Sequence, residues 1–246
     1  MSDSSSKMTI VVGASRGLGR EMALAFAAAG DSVVGVSRTG STSTGVDDGI
    51  REEIADATDA DAAAALLTRY QPDVVVVVAG AVPGMAPLTE QTWETFSVNW
   101  HADVKIAFTW LQQALLVPLK PGAEIVIISS GAAVKGSPES GGYAGAKAAQ
   151  RFLAQYAQDE SRRAGLDLTV TTVLPQMTPH GAVGRSGIRA YAARAGQTED
   201  AYTEQLAPLL TPETAGTALV QLLKTPAPRE ADSYLLTGAG LRPLAT

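Results

Sequence analysis

Tyr143 and Lys147 stand four residues apart in Tyr143-Ala144-Gly145-Ala146-Lys147, a spacing that puts a phenol and an ammonium on one face of a helix. A free phenol, with a pKa of about 10, is a poor acid–base catalyst near neutrality, and an adjacent cation stabilises its anion. Tyr143 with Lys147 is therefore a candidate general acid and base, although a lone pair at this spacing also suits an exposed helix face. Ser130, the second of Ser129-Ser130, lies thirteen positions before Tyr143 and ends an apolar run. Its hydroxyl can meet the oxygen that the phenol meets, or simply satisfy backbone groups at the end of a strand. Asn99 sits between the apolar Val98 and Trp100, where a buried amide needs a hydrogen-bonding reason. Structural satisfaction and a proton relay both stay open for it.

A second constellation is Gly13-Ala14-Ser15-Arg16-Gly17-Leu18-Gly19, three glycines spaced GxxxGxG directly after the apolar run Met8 to Val12. Glycines there allow a tight turn and close approach of the backbone to a diphosphate, and the opening of the following helix adds unsatisfied N–H groups and a positive dipole end. The end of the next apolar run reads Val36-Ser37-Arg38, with no carboxylate. A carboxylate at that place accepts the ribose hydroxyls of NAD and repels a 2′-phosphate. Arg38, with Arg16 inside the glycine turn, instead offers planar forks of donors suited to a phosphate, and the cofactor expected is NADP (NADPH).

These residues need elements to hold them. Met8 to Val12, Ser32 to Val36, Val74 to Ala79, Glu124 to Ser129, Leu168 to Val173 and Tyr234 to Thr237 read as strands, the five-valine block as one covered on both faces. Between them, apolar residues at helical spacing predict helices after Gly13, over Ala60 to Tyr70 with Thr58 or Asp59 as cap, over His101 to Val117, over Tyr143 to Ala164 ending near Gly165, and from Pro212 onward. Such alternation gives an α/β fold with a doubly wound parallel sheet of about seven strands, helices on both faces, and ligands at the strands' carboxyl ends. Thr39 to Gly49 reads as a loop where a crossover helix is expected. Met177 to Ala207 is long enough for a substrate loop with short helices of its own. Met1 to Lys7 reads as a frayed serine-rich tail and residues 8–246 as one domain.

Composition narrows the function. Lys+Arg 19 against Asp+Glu 25 gives a net charge of -6, which disfavours nucleic-acid and anionic-membrane partners. With Cys 0 and His 2, no thiolate chemistry is available and no metal site is expected. No apolar stretch reaches the ~18 residues of a spanning helix and no signal core opens the chain, so a cytoplasmic location is expected.

Taken together, these residues resemble the short-chain dehydrogenase/reductase family of the ~250-residue type, over nearly the whole chain. The glycine turn resembles the family's TGxxxGxG with Val12 in place of threonine, and Ala79-Gly80 the end of its NNAG, with Val77 and Val78 in place of both asparagines. Asn99, Ser130, Tyr143 and Lys147 fall where the family keeps its catalytic tetrad, with Gly145-Ala146 replacing the usual Ala-Ser. Pro175 and Thr178 resemble the PGxxxT segment that closes on the nicotinamide, with Gln176 replacing the glycine and the threonine two positions nearer the proline. The resemblance implies a Rossmann-like domain and an NADP-dependent oxidoreductase acting on a carbonyl or secondary alcohol. Tyr143 would exchange the proton, Ser130 polarise the substrate oxygen, Lys147 stabilise the phenolate and bind the ribose, and Asn99 hold a relay water. Ser15, Leu18, Ser37 and Ala57 would join the cofactor contacts, and Asp56 would bind the adenine amino group unless it caps a helix instead. A small-molecule substrate and a homo-oligomer, most simply a tetramer, are implied. A non-catalytic NADP-binding regulator and a lyase or epimerase of the same fold are the alternatives.

Overall fold

The computed structural model describes residues 6–41, 48–225 and 230–244. Its strands are β1 (Met8–Val12), β2 (Ser32–Ser37), β3 (Ile50–Ile54), β4 (Val74–Val77), β5 (Glu124–Ile128), β6 (Thr169–Pro175), β7 (Ser233–Thr237) and β8 (Gly240–Pro243). They form one sheet in the order β3-β2-β1-β4-β5-β6-β7-β8, parallel except for the β7–β8 pairing. The order reverses between β1 and β4, which opens a crevice at their carboxyl ends.

Because side chains alternate along a strand, each strand feeds two cores. Ile10, Val12, Val75, Val77, Ile125 and Ile127 pack with α2 (Ala60–Tyr70), α4 (Lys105–Leu116) and α6 (Gly141–Ala164). Val11, Val74, Val76, Val126 and Ile128 face α1 (Gly17–Ala28) and α9 (Pro212–Lys224) on the other side. Each such side chain stabilises the fold by about 1.5 to 3 kcal/mol over leaving it in water, so continuous valine runs belong in the middle of this sheet.

Helix ends follow their chemistry. Asp59 caps α2, accepting from the N–H groups of Asp61 and Ala62, Thr211 caps α9 ahead of Pro212, and Gly165 closes α6 in the left-handed region.

The doubly wound parallel sheet is the one expected, with eight strands where about seven were expected: Ile50–Ile54 is an edge strand whose Arg51, Glu52 and Glu53 hide its period, and β8 adds an antiparallel hairpin after β7. Other expectations are corrected. The helix expected over His101 to Val117 begins earlier, as α3 (Trp93–Asn99), passes through a π-helical turn at Trp100–Val104, and continues as α4. Thr92 and Thr95 form the capping box that starts it. Residues 177–207 hold α7 (Ala182–Ala195), longer than a short loop helix, and α8 (Glu199–Glu204). α5 (Ala132–Lys135) is a single turn after β5. Lys7 is tied down, its carbonyl accepting from the Ser32 N–H at 2.8 Å; residues 1–5 of the expected tail and 42–47 of the expected loop lie outside the described residues. No described helix is long and apolar enough to cross a membrane.

Candidate active site

The glycine turn sits where the strand order reverses. Gly13, at φ +103°, donates its N–H to the Val36 carbonyl at 2.8 Å, and a Cβ on it would stand 2.7 Å from the Ala79 nitrogen. A Cβ on Gly19 would stand 2.2 Å from the Gly13 carbonyl oxygen. Both positions demand glycine, and together they draw the mouth of β1, the end of β4 and the first turn of α1 into one cradle. Arg16 precedes α1 in an extended conformation without capping its N-terminus, so the first amides of the helix point at the crevice without a side-chain acceptor. Ser15 and Leu18 line the turn half-buried, and Arg16 is exposed. This bare, close-packed helix opening fits the diphosphate of a dinucleotide.

Ser37 ends β2 and Arg38 follows it, exposed. Asp56 lies after β3, the neighbouring strand, and does not cap α2: its carboxylate accepts from the backbone N–H and the hydroxyl of Thr58, both at 2.9 Å. Those two bonds, with the nearby Arg38 charge, hold Asp56 below the usual carboxylate range. Arg38 and Asp56 thus share one rim of the crevice. Ala57 is fixed beside them because its carbonyl accepts from the indole N–H of the buried Trp110 at 3.1 Å.

On the other side of the switch point, β5 ends at Ile128. The buried Ser129 hydroxyl donates to the Lys147 carbonyl at 2.7 Å, which ties the carboxyl end of β5 to the second turn of α6. Ser130, next in the chain, is half-buried, and its Oγ accepts from the Ala132 N–H at 3.2 Å. Tyr143 is half-buried on the first turn of α6, and the Lys147 Nζ lies 5.6 Å from its ring centroid. A recess beside the tyrosine is lined by Phe96, Asn99, Ser140 and Gly142. A larger groove at the amino-terminal edge of β6 and β7, lined by Arg162, Asp167 and Asp232, contains none of these residues.

Lys147 itself is buried. Its Nζ lies 3.1 Å from Asp103 Oδ2 and donates to Gln150 Oε1 at 3.0 Å and to the Ile128 carbonyl at 3.3 Å. Burial disfavours its charge, but the Asp103 carboxylate, with a smaller contribution from Tyr143, outweighs that and holds the ammonium above its ordinary value. Asn99 is buried as its neighbours predict; its amide nitrogen donates to the Ala81 carbonyl at 2.9 Å and to Asp103 Oδ1 at 3.2 Å.

Asp103 and Gln150 are the polar residues at this site that the sequence reading passes over. Their signal was present: Asp103 follows Asn99 by four residues and Gln150 follows Lys147 by three, the spacings of helix neighbours. The π-helical turn hid the first by breaking the apolar period.

Pro175 ends β6 and is buried, but the Thr178 hydroxyl donates to the Leu210 carbonyl at 2.6 Å, bracing the chain that leads into α9. Gln176 reaches the carbonyls of Leu206 and Pro208 through its amide at 3.2 and 3.0 Å, a tie that the glycine of the resembled segment cannot make. Among the described residues there is no group of three or more His, Asp or Glu able to hold a metal ion.

The fold recurs in known proteins. A family model for short chain dehydrogenases matches residues 7–186. The L-xylulose reductase of Mesocricetus auratus is 26% identical over 177 residues, 71% of this chain and 67% of that protein. Among solved structures, an alcohol dehydrogenase from the archaeon Thermococcus sibiricus complexed with 5-hydroxy-NADP superposes with a TM-score of 0.74 at 22% identity, over 97% of this chain and 99% of that one. A short chain dehydrogenase family protein from Francisella tularensis subsp. tularensis SCHU S4 gives a TM-score of 0.73 at 20% identity, over 89% and 91%. With residues 7–186 matched by the family model and the parallel sheet shared with solved members, the chain belongs to the short-chain dehydrogenases, a family of oxidoreductases that bind a nicotinamide cofactor.

Proposed function

We propose that this protein is an NADP(H)-dependent carbonyl reductase or secondary-alcohol dehydrogenase in which Tyr143 is the general acid and base. The observation that carries the reading is the pairing of a half-buried phenol with the buried Lys147 ammonium, 5.6 Å from its ring centroid, on the helix that Ser129 ties to the carboxyl end of β5. When bound, the nicotinamide gives or takes the hydride at its C4 carbon. The chain's own residues handle the proton. In reduction the Tyr143 hydroxyl gives its proton to the carbonyl oxygen, the Ser130 hydroxyl donates a hydrogen bond to that oxygen, and Lys147 stabilises the phenolate left behind.

Gly13, Ser15, Arg16, Gly17, Leu18 and Gly19 would hold the diphosphate; Ser37, Arg38, Asp56 and Ala57 the adenosine; Ala79, Gly80, Pro175 and Thr178 the nicotinamide half, with Tyr143 and Lys147 on its ribose. NADP over NAD rests on the exposed Arg38 at the end of β2 and Arg16 in the turn, and on 5-hydroxy-NADP being bound to the Thermococcus protein. Carbonyl reduction accords with a relative named as a reductase. Residues 177–207, mostly α7 and α8, would cover the substrate. Asn99 would hold the relay water, and its amide nitrogen also holds Asp103 and the segment at Ala81.

A panel of ketones, aldehydes and quinones mixed with NADPH, followed by loss of nicotinamide absorbance, tests the activity. Turnover is expected with at least one class, and Tyr143→Phe should cut it by at least about a hundredfold while cofactor titration stays near wild type. Residual activity within about tenfold of the parent removes Tyr143 from the proton-donor role.

A further inference from the structure

We infer that Asp103 is a positioning residue for the Tyr143–Lys147 pair, a buried carboxylate held against the Lys147 ammonium on the helix face it shares with Tyr143, so that less of that charge is left to stabilise a phenolate. The inference deepens the proposed function and rests on it.

Asp103 is built in. Its side chain is 1% exposed, and its Oδ1 accepts from the Ala81 N–H at 2.8 Å and the Asn99 amide at 3.2 Å. Its Oδ2 lies against Lys147 Nζ at 3.1 Å in an ion-pair contact without the alignment of a hydrogen bond, and has no hydrogen-bond partner among the described residues. Space for the carboxylate exists because residue 80 is glycine: a Cβ there would stand 2.7 Å from Asp103 Oδ2. Asp103 lies in the π-helical turn Trp100–Val104, which interrupts the helix between α3 and α4, a device that re-aims side chains at functional sites. Gln150, fully buried, clamps both partners: its Nε2 donates to the Asp103 carbonyl at 2.9 Å while its Oε1 accepts from Lys147.

A buried cation stabilises a phenolate in proportion to the charge left to it. Lys147 already faces a carboxylate, so its field at the phenol is partly cancelled. Of ionisable groups, Asp103 on the π-helical turn and Tyr143 on α6 act on Lys147. The other elements around the pair offer neutral groups: β5 the Ile128 carbonyl, α6 the Gln150 amide, α3 the Asn99 amide, and the segment after β4 the Ala81 N–H. His101 in the same turn is exposed. Losing one proton from Tyr143 or Lys147 leaves a cluster with a net negative charge, whereas without the carboxylate the same loss would leave a neutral one. Asp103 thus resists the first deprotonation of the pair whichever atom gives it up. A tyrosine that keeps its proton is a donor, which suits carbonyl reduction near neutral pH; alcohol oxidation, which needs the phenolate, then gains as pH rises.

The test is the pH profile of alcohol oxidation, and of the reverse reduction, in wild type and Asp103→Asn saturated with cofactor. Asparagine keeps the shape and an acceptor for the Ala81 N–H. The limb assigned to proton loss is expected to move toward acid by about one pH unit or more, with reduction failing at correspondingly lower pH. A limb that stays in place or moves toward alkali, with Tyr143→Phe inactive, overturns the role of Asp103 alone; an active Tyr143→Phe overturns the reading beneath it. If Asp103→Asn does not fold, the ultraviolet difference titration of wild type minus Tyr143→Phe, both loaded with NADP⁺, decides. No Tyr143 phenolate band near neutral pH supports the inference, and a band there overturns it.

Discussion

Gly142 packs against Phe96 so closely that a Cβ on it would stand 2.0 Å from the Phe96 carbonyl oxygen, and this contact fixes how α6 lies on α3. Tyr143 and Asn99 come into one recess because those two helices touch backbone to backbone. Gly145 repeats the device one turn on, where a Cβ would stand 3.2 Å from the Trp100 ring.

Gly142→Ala should therefore push α6 off α3. Overpacking of this kind costs about 1 to 3 kcal/mol, and displacing the phenol by about 1 Å lowers turnover about a hundredfold. Thermal unfolding and kcat measured together check it, with cofactor titration at the distant glycine cradle expected to stay near wild type. Unchanged kcat would mean that Tyr143 does not depend on this contact.

Arg38→Asp should move cofactor preference toward NADH. The change removes a charge-assisted contact of about 1.5 to 3 kcal/mol to a 2′-phosphate and adds repulsion. The ratio of kcat/KM for NADPH over NADH is expected to fall by at least about tenfold. A ratio that does not change means Arg38 is not the phosphate ligand.

Phe152 on α6 and Phe108 on α4 are 69% and 48% exposed, with Tyr156 a turn beyond Phe152, so these two helices present aromatic side chains to water. A homo-oligomer closed across these helices is expected, a tetramer or else a dimer. Light scattering at micromolar protein should give a multiple of 25.4 kDa, and Phe152→Glu should lower it. A wild-type mass of one chain overturns the expectation.

Asp73 joins three elements: its carboxylate accepts from the Met8 N–H at 2.8 Å and from Lys120 Nζ at 3.0 Å. Partial burial pushes its carboxyl up, but the Met8 amide and the Lys120 charge more than offset this and leave it below the ordinary value. A depressed carboxyl stabilises the fold above its unfolded pKa, near 3.9, and loses that contribution as pH falls through its lower folded value. Asp73→Asn should lower Tm at neutral pH by about 2 to 4 °C, for a contact of about 1 kcal/mol. The gap between variant and wild type should hold down to about pH 5 and close below about pH 4. A gap independent of pH through that range would show that the charge is not what Asp73 contributes.

The sequence by itself determined the parallel sheet and the residues at its carboxyl edge. Valine runs can be stable only between two helical layers, glycines at 13, 17 and 19 mark a turn that tolerates no Cβ at its tightest points, and Tyr143 and Lys147 share a helix face by spacing alone. These signals are local, written in period and residue type. The edge strand Ile50–Ile54 escaped because one side of it meets solvent, so its polar residues erase the pattern that burial imposes on central strands. Only the tertiary structure decided what Lys147 faces. Asp103 sits 44 positions before it in the chain, across a π-helical turn that no propensity reveals, and the pair exists because Gly80, the Asn99 amide and Gln150 meet from three separate elements. A buried charge takes its partner from space, and sequence spacing carries no record of that distance.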